Sequence, residues 1–290
     1  MKLGSFFTPK NICAAGGLLF STYFYNKYPA YAASFGYLKS GATVKPHPDK
    51  EYKGGEDALV IKERMISVED GVGGWTEAGY DVAKYSKQLM GLISGTYDEN
   101  PHFTPKEILT EAAKHTTEIG STTAVIAILD ADERTLATTN LGDSSYLLLR
   151  HNTHEYPRGN WLKMYRSLEQ QHYFDCPYQV GTHGDHPYKA NDEVHSVVHN
   201  DIIVMATDGV WDNTFDEEVI KVIEDSTTET GNLEDPQKAS QKIAEIAFEH
   251  SHDENYESPF QVSSAASDKE TRYGGKKDDI TVIVSQIKLE

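Results

Sequence analysis

Apolar positions recur along this chain with two different periods, and their order predicts how strands and helices follow one another. Short runs of apolar and β-branched residues, bounded by glycine or polar residues, predict strands. These runs lie at Ala58–Lys62, Met65–Val68, Thr122–Leu129, Thr135–Leu141, Ser145–Leu149, Ile202–Ala206 and Ile280–Ile287. Between the second and third runs, apolar residues at helical spacing predict a helix with one buried face. They are Val82, Tyr85, Leu89 and Leu92.

Further helices are predicted from their first residues. Thr104 can cap a helix that has Pro105 at its first position and Glu107 completing a capping box. Its inward face is predicted to carry Ile108, Ala112 and His115. Two later helices are predicted near Asp216–Glu224 and Asp235–His250. Because consecutive strands are joined by short turns and paired helices lie between them, the pattern predicts an α+β protein with antiparallel sheets covered by helices.

Composition and charge narrow the class of protein. The chain of 290 residues is 38% hydrophobic and 25% charged, which is typical of a soluble globular protein. Its net charge of -18 argues against nucleic acid as a partner, because a basic surface is needed to neutralise phosphates. Cys13 and Cys176 are its two cysteines, so no disulfide framework is indicated.

The N-terminal segment differs from the rest in charge. Its first 48 residues contain five lysines and none of the 45 acidic residues of the chain. A basic, acid-free segment with an apolar stretch at Ile12–Tyr25 is typical of an organelle transit segment, and a mitochondrial location is predicted. The alternatives are a secretory signal, a first strand over Ala32–Val44, or a membrane anchor over Ala14–Tyr37, with membrane association confined to residues 12–37. We predict a targeting or anchor segment at 1–45 and one domain at 46–290.

Acidic turns stand at the ends of three predicted strands. Asp70-Gly71 and Asp208-Gly209 each follow an apolar run, and Asp278-Asp279 precedes one. Carboxylates at the ends of buried strands are costly unless a cation neutralises them. Gathered together with backbone carbonyls freed by glycine turns, they form an oxygen cage for hard divalent cations. Each Asp-Gly pair taken singly is more often an ordinary turn, but the set predicts metal-assisted phosphoryl chemistry.

Six sequence elements, taken in order, resemble those of a known family. They are Gly55-Glu56-Asp57, Asp70-Gly71-Val72-Gly73-Gly74-Trp75, Gly120-Ser121-Thr122-Thr123-Ala124, Asn140-Leu141-Gly142-Asp143-Ser144, Ala206-Thr207-Asp208-Gly209-Val210 and Asp278-Asp279-Ile280-Thr281-Val282. Over about Gly54 to Ile287 the chain resembles the metal-dependent Ser/Thr protein phosphatases of type two C, the PPM family. Shorter matches resemble its mitochondrial, Ptc-seven-type branch. They are Gly73-Gly74-Trp75, Gln170-Gln171-His172-Tyr173-Phe174, Pro177-Tyr178-Gln179 and Gly274-Gly275-Lys276.

This resemblance implies a fold, an activity and a set of site residues. The implied fold is a four-layer α-β-β-α sandwich, in which helices flank two antiparallel sheets, with the catalytic domain at 46–290. The implied activity is hydrolysis of phosphoserine and phosphothreonine in phosphorylated protein substrates, by water activated between two Mg or Mn ions. The implied metal ligands are Asp57, Asp70, Gly71, Asp208 and Asp278, with Asp70 and Asp208 as the catalytic residues. The candidates for outer contacts to the ions or to substrate phosphate are Glu56, Lys53 and Asp279.

Some positions depart from the family pattern. Tyr52 stands where many members carry an arginine that binds substrate phosphate, and Lys53 beside it is a candidate substitute. Glu69 stands where alanine is usual, and strand alternation predicts that its side chain points away from the metals. Gln171 lies near the position of an aspartate that holds a third ion in other members.

Two alternative hypotheses about the function are retained in addition to the phosphatase. One is a weak or inactive relative that acts as a regulatory binding module, which the missing arginine and Glu69 keep open. The other is a two-metal hydrolase of small phosphate esters. Asp143 is interpreted as a tight-turn residue and is left outside the metal set.

Overall fold

A computed structural model of the chain describes residues 35–153, 160–267 and 271–290, and one compact unit runs from Gly36 to Glu290. Its strands are β1 Gly36–Lys45, β2 Ala58–Ile61, β3 Met65–Glu69, β4 Ser121–Thr122, β5 Ala124–Asp130, β6 Thr135–Leu141, β7 Ser145–His151, β8 Trp161–Arg166, β9 Gln171–Tyr173, β10 Cys176–Pro177, β11 Val180–Gly181, β12 Asn191–Ser196, β13 Ile202–Ala206 and β14 Ile280–Leu289. Its α-helices are α1 Gly74–Glu77, α2 Val82–Glu99, α3 Pro105–His115, α4 Asp208–Trp211, α5 Asp216–Asp225, α6 Pro236–Ser251 and α7 Pro259–Ala266. Short 3₁₀ turns lie at Pro48–Lys53 and Pro187–Lys189.

Two five-stranded antiparallel sheets form the centre of the fold. One has the strand order β1-β14-β13-β7-β8 and the other the order β12-β6-β5-β3-β2. Strand β13 shows how they pack, because alternate residues point to opposite faces. Ile203 and Met205 lie in the apolar layer between the sheets, whereas Ile202, Val204 and Ala206 pack towards α5 and α6. On the other side, α2 and α3 cover the second sheet, so the predicted four-layer α-β-β-α sandwich is confirmed.

Helix starts follow the predicted capping chemistry. The Thr104 side chain accepts a hydrogen bond from the Glu107 backbone, and the Glu107 side chain accepts one from the Thr104 backbone, so the capping box is present. Asp235 likewise caps α6. The predicted inward position of His115 is wrong: its side chain is exposed at the last residue of α3 and pairs with Glu111. Helix α7 is an additional element that the apolar pattern did not predict.

The predicted boundary at residues 45 and 46 is corrected by β1. This strand pairs with β14 over ten residues, from Gly36 opposite Leu289 to Lys45 opposite Ile280. Gly41 lies so close to α6 that an added Cβ would come within 2.2 Å of the Gln237 backbone nitrogen. The alternative of a first strand in this region is therefore confirmed, and the compact unit begins ten residues before the predicted start.

Most of the predicted N-terminal segment falls outside the described residues. This applies to all of Ile12–Tyr25 and to most of the proposed anchor at Ala14–Tyr37. In the three ranges that the structure describes, no helix combines the length and hydropathy needed to cross a membrane.

The position of β1 predicts how the chain tolerates truncation. A fragment of residues 35–290 should unfold cooperatively, whereas a fragment of residues 46–290 should be strongly destabilised because β14 loses its edge partner and α6 loses its contacts with β1. Thermal unfolding followed by circular dichroism compares the two. Equal midpoints for both fragments would show that β1 is dispensable.

Candidate metal centre

The first acidic turn is held at the end of β3 by threonines. Thr122 donates its hydroxyl to the Asp70 carbonyl at 2.6 Å, and the Thr123 backbone N–H donates to the same oxygen at 2.9 Å. Gly71 then passes through a tight space, where an added Cβ would lie 2.6 Å from Val82 and 2.8 Å from the Glu56 carbonyl. Glycine is thus required where the chain turns away from Asp70.

The second acidic turn, Asp208-Gly209, is in close contact with the third, Asp278-Asp279. Asp208 is the first residue of α4 and directly follows the cap residue Thr207. An added Cβ on Gly209 would come within 2.0 Å of the Asp279 carbonyl oxygen, so α4 touches the start of β14. The Thr207 N–H donates to the Thr281 carbonyl at 3.0 Å, which fixes this contact. Asp208 and Asp278 are brought together although 69 residues separate them in sequence.

The acidic pair before β2 lies beneath these turns. Asp57 is buried and accepts a hydrogen bond from the Thr207 hydroxyl at 3.0 Å. Glu56 is buried and pairs with Lys50 at 2.7 Å and Lys53 at 2.8 Å. Asp279 accepts hydrogen bonds from the His47 and Glu56 backbone nitrogens at 2.7 and 3.0 Å. Asp279 therefore fastens the loop that carries the acidic pair, as an outer residue of the site.

A cavity of about 390 Å³ opens where these segments meet. Asp70, Gly71, Asp208 and Asp278 line it, which brings together four of the five predicted metal ligands. The fifth, Asp57, lies behind this wall and is coupled electrostatically to Asp208 and Asp278. Single buried oxygens of Asp57 and Asp208 have no hydrogen-bond partner among the described residues. Unpartnered carboxylate oxygens around a cavity fit hard divalent cations such as Mg²⁺ and Mn²⁺.

The chain is similar in sequence to known protein phosphatases over most of its length. The sequence model of the Protein phosphatase 2C family matches residues 186–256. Probable protein phosphatase 2C 26 of Arabidopsis thaliana is 33% identical over 266 residues, which cover 86% of this chain and 84% of that protein. The chain belongs to the protein phosphatase 2C family. Probable protein phosphatase 2C 55 of Arabidopsis thaliana is 38% identical over 257 residues, but the match spans only 52% of that longer protein.

Other relatives support the branch and the fold. Protein phosphatase PTC7 homolog fig of Drosophila erecta is 31% identical over 255 residues, covering 81% of this chain and 77% of that protein, which confirms the predicted resemblance to the PTC7-type branch. The X-ray structure of the photosystem II phosphatase PBCP superimposes with a TM-score of 0.76 at 32% identity, over 86% of this chain and 98% of that one. The catalytic domain of PstP in complex with 2 manganese ions shares the fold, with a TM-score of 0.60 at 14% identity over 88% of this chain and all of that one.

The carboxylates of this phosphatase-family site repel one another. Burial first, and then the nearby charges of Asp57, Asp208 and Asp278, raise the pKa of Asp70 well above its usual value. Asp70 and Asp208 line the same cavity, so a proton on Asp70 would relieve the repulsion between the two carboxylates. Burial raises the pKa of Asp278 to about 6, with Asp208 adding to the shift. Without a cation the cluster therefore holds protons that a metal would displace.

Two lysines already lie among these acids. Lys276 pairs with Asp208 at 2.6 Å and Lys50 lies 3.8 Å from Asp278, and both lysines line the cavity. In the part of the chain that the structure describes, no three His, Cys, Asp or Glu side chains are arranged as a ready-made metal cage. Burial would raise the pKa of Asp208, but the charge and the hydrogen bond of the Lys276 ammonium hold it below its usual value.

The lysine that lines the cavity is Lys50, whereas the sequence had indicated Lys53. Lys53, the candidate substitute for the missing arginine, pairs with Glu56 at 2.8 Å and Asp81 at 3.3 Å and is not among the cavity-lining residues. Lys50 lines the cavity instead, although sequence reasoning did not select it. It belongs to the 3₁₀ turn Pro48–Lys53, whose form the apolar pattern gave no means of predicting.

Asp143 and Asp212 are further acids of the site. Asp143 lies in the β6–β7 turn as predicted, yet it is buried, lines the cavity and accepts a hydrogen bond from Gln171 at 3.2 Å. Burial and the nearby Asp208 raise its pKa well above the usual value. Asp212 lies one helical turn after Asp208, and burial raises its pKa to about 7. The spacing of four residues between Asp208 and Asp212 was the signal that could have identified it.

Glu69 faces away from the cavity. It alternates with Asp70 along β3 and shares its face with Met65, which packs among the residues of α2 and α3. Ser67 donates a short hydrogen bond to it, and burial raises its pKa to about 8 with a further contribution from Asp57. The prediction that Glu69 points away from the metal face is confirmed.

These pKa shifts predict how stability depends on pH without metal. The folded-state pKa values of Asp278, Asp212 and Glu69 are raised to about 6, 7 and 8, so the proton-bound forms stabilise the folded state. That contribution is complete below the unfolded values near 4 and is lost as pH rises through 6 to 8. With EDTA present, the unfolding midpoint should fall by several degrees between pH 5.5 and 8, and Mn²⁺ should restore more stability at pH 8.

Thermal unfolding across this pH range checks the expectation, with Asp278→Asn as a variant in which the pH dependence should be smaller. A midpoint that stays constant or rises with pH in EDTA would contradict the protonated cluster.

Proposed function

We propose that this protein is a metal-dependent protein serine/threonine phosphatase that hydrolyses phosphoserine and phosphothreonine esters. The convergence of Asp70, Asp208 and Asp278 on one cavity carries this proposal. These three residues come from distant parts of the chain, and glycines at 71 and 209 allow the close approach that brings them together. Family membership supports the same reaction, since the relatives are named as protein phosphatases.

The chain's own residues would hold two Mg²⁺ or Mn²⁺ ions in defined ways. Asp70 lines the cavity together with Asp208 and Asp278 and would be a ligand for the ions. The Gly71 carbonyl would bind one ion, and Asp208 with Asp278 would bind the other. Asp57 supplies a buried oxygen from behind the wall. Bound together, such ions supply a water activated for attack at phosphorus and neutralise phosphate charge. The solved relative PstP, with 2 manganese ions, supports this number.

The chain contributes more than ligands. Threonines at 122 and 123 hold the Asp70 backbone, so the carboxylate is oriented before any ion binds. Lys50 offers a positive charge at the cavity wall, where substrate phosphate would enter. Its ammonium acts as a point charge and does not provide the two parallel hydrogen bonds of an arginine. We therefore propose Lys50, and not Lys53, as the residue that compensates for the absence of arginine at position 52.

The reaction predicts strict metal dependence. Residues 35–290 should hydrolyse a phosphothreonine peptide with Mn²⁺ or Mg²⁺, and EDTA should abolish turnover. Asp208→Asn should lower kcat by roughly 10²–10⁴-fold at saturating metal because it removes a charge that holds an ion and activates the water. Phosphate release from the peptide measures both effects.

Asp225→Asn is the matched control, since Asp225 is an exposed acid on α5 that pairs with Lys221 away from the cavity. Its kcat should equal that of the wild type. Turnover in EDTA at the metal-supported rate would refute the two-metal reaction. Binding of Mn²⁺ without hydrolysis of either a phosphopeptide or an aryl phosphate would instead favour the regulatory binding module. Preference for the aryl phosphate would favour a small-ester hydrolase.

We also propose that the N-terminal segment directs the protein to mitochondria. Residues 1–48 carry a charge of +5 and the remaining residues, with 22 basic and 45 acidic side chains, carry -23. An inside-negative membrane potential favours entry of basic segments by about 2.3 kcal/mol per charge per 100 mV. Because β1 belongs to the folded unit, the directing segment is assigned to residues 1–35, which hold Lys2, Lys10 and Lys27.

Imaging of fluorescent fusions tests this location. The first 35 residues should carry a reporter into mitochondria, and the double change of Lys2 and Lys10 to Glu should leave it in the cytosol because it reverses the segment's charge. A wild-type reporter that stays in the cytosol would contradict the proposal. A reporter on another cellular membrane would favour the anchor within residues 12–37.

A further inference from the structure

The backbone of the Gly274-Gly275-Lys276 segment is tightly constrained, and the proposed function assigns no role to this segment. Gly274 has a φ of +81°, and an added Cβ would lie 2.8 Å from the Glu254 Cα atom. At Gly275 an added Cβ would lie 2.0 Å from the His250 carbonyl oxygen. Only glycine allows the chain to press this closely against the end of α6. The two glycines therefore set the path by which Lys276 reaches the cavity.

Asn213 fixes the backbone of Lys276 from the other side. The Lys276 N–H donates to Asn213 Oδ1 at 2.9 Å, and Asn213 Nδ2 donates to the Lys276 carbonyl at 2.8 Å. Asn213 Nδ2 also donates to the Gly209 carbonyl at 2.9 Å, and Asn213 is fully buried. The lysine backbone is thus tied to the turn that carries Asp208. The Lys276 backbone is therefore held by hydrogen bonds in addition to the attraction between its side chain and the acids.

The Lys276 ammonium lies among four carboxylates. Nζ is 2.6 Å from Asp208 and 2.8 Å from Asp212, with Asp175 at 3.4 Å and Asp278 at 3.6 Å. An ammonium with several oxygen partners takes the place that a cation would need between Asp208 and Asp212.

The same ammonium contacts the β9–β10 hairpin. Asp175, in the turn between these strands, lines the cavity and has a φ of +62°. Its second oxygen accepts a hydrogen bond from Arg272 at 2.6 Å. Two cations after α7, Arg272 and Lys276, therefore contact Asp175 of the hairpin. Lys276 also contacts Asp208 of the metal centre.

We propose that Lys276 is a positioning residue of the metal centre, a fixed cation that aligns Asp208 with Asp212 and excludes a divalent ion from between them. Divalent ions are thereby confined to the cavity side of Asp208, where its second oxygen has no partner among the described residues and Asp70 and Asp278 complete the ligand set. This inference rests on the proposed function for the ions themselves. A structural salt bridge alone would stabilise the fold and leave the number of bound ions unchanged, so the ion count separates the two roles.

The test counts Mn²⁺ ions per chain by equilibrium dialysis of residues 35–290 at neutral pH. Lys276→Met should bind one ion more than the wild type, because the vacated space between Asp208 and Asp212 becomes available. Lys276→Arg should keep the wild-type count, since it retains the charge. Lys221→Met is the control for loss of a positive charge and should also keep that count, since Lys221 pairs with Asp225 on the exposed side of α5, away from the cavity.

Turnover provides the second readout. At saturating Mn²⁺, Lys276→Met should lower kcat at least tenfold, with a smaller change in KM for a phosphothreonine peptide, and Lys276→Arg should recover part of the loss. If Lys276→Met does not fold, as judged by circular dichroism, the count is made on Lys276→Gln, whose amide still donates to Asp212. An unchanged ion count in a folded, neutral variant would overturn the proposal. Absence of Mn²⁺ binding by the wild type would contradict the proposed function instead.

Discussion

The mutual repulsion of buried carboxylates is the constraint on which this site depends. Different segments place Asp70 and Asp208 at the wall of one cavity and Asp57 behind that wall, in an environment that opposes charge. Such a cluster is stable only if protons, lysines or metal ions neutralise it. The structure shows the lysines, as the ammonium groups of Lys50 and Lys276, and the raised pKa of Asp70 favours a bound proton. A site that must be neutralised in this way is well suited to bind divalent cations, and this is the physical basis of the proposed reaction.

The two-sheet core makes it possible to hold the carboxylates against their repulsion. Strands β13 and β14 are buried on both faces, so their ends are fixed by packing before the acidic side chains meet. Glycines at 71 and 209 permit backbone contacts that any side chain would prevent. The packing of the strands and the close contacts at these turns therefore offset the repulsion between the carboxylates. Loops alone, with fewer buried contacts, would relax and separate the charges.

Positive charge enters the site from sequence-distant turns. Lys50 comes from the 3₁₀ turn after β1, and Lys276 from the segment before β14. Each lysine meets more than one acid, so a change at either position alters several pairs together. We expect the effects of substitutions in this network to be non-additive, because the partners share charges. Lys50 and Lys276 also lie near different oxygens of the Asp278 carboxylate. Asp278 therefore connects the network around Lys50 with the network around Lys276.

The sequence by itself determined the class of fold and most of the acidic set. Strand and helix periods predicted the elements of the two sheets, since burial on a face leaves a direct trace in the apolar pattern. The capping residues at Thr104 and Asp235 predicted helix starts because caps are local interactions. Asp70, Asp208 and Asp278 could be selected because each stands beside an apolar run.

Only the tertiary structure decided which charges meet. Lys50 and Lys53 are three residues apart and chemically identical, yet one lines the cavity and the other pairs with Glu56 and Asp81. Asp143 is a turn residue in sequence and a buried acid in space. The basic, acid-free composition of residues 1–48 predicted a segment outside the fold up to residue 45, but ten backbone pairings with β14 make residues 36–45 a strand. Side-chain direction and long-range pairing leave little trace in local sequence, because both depend on residues far away along the chain.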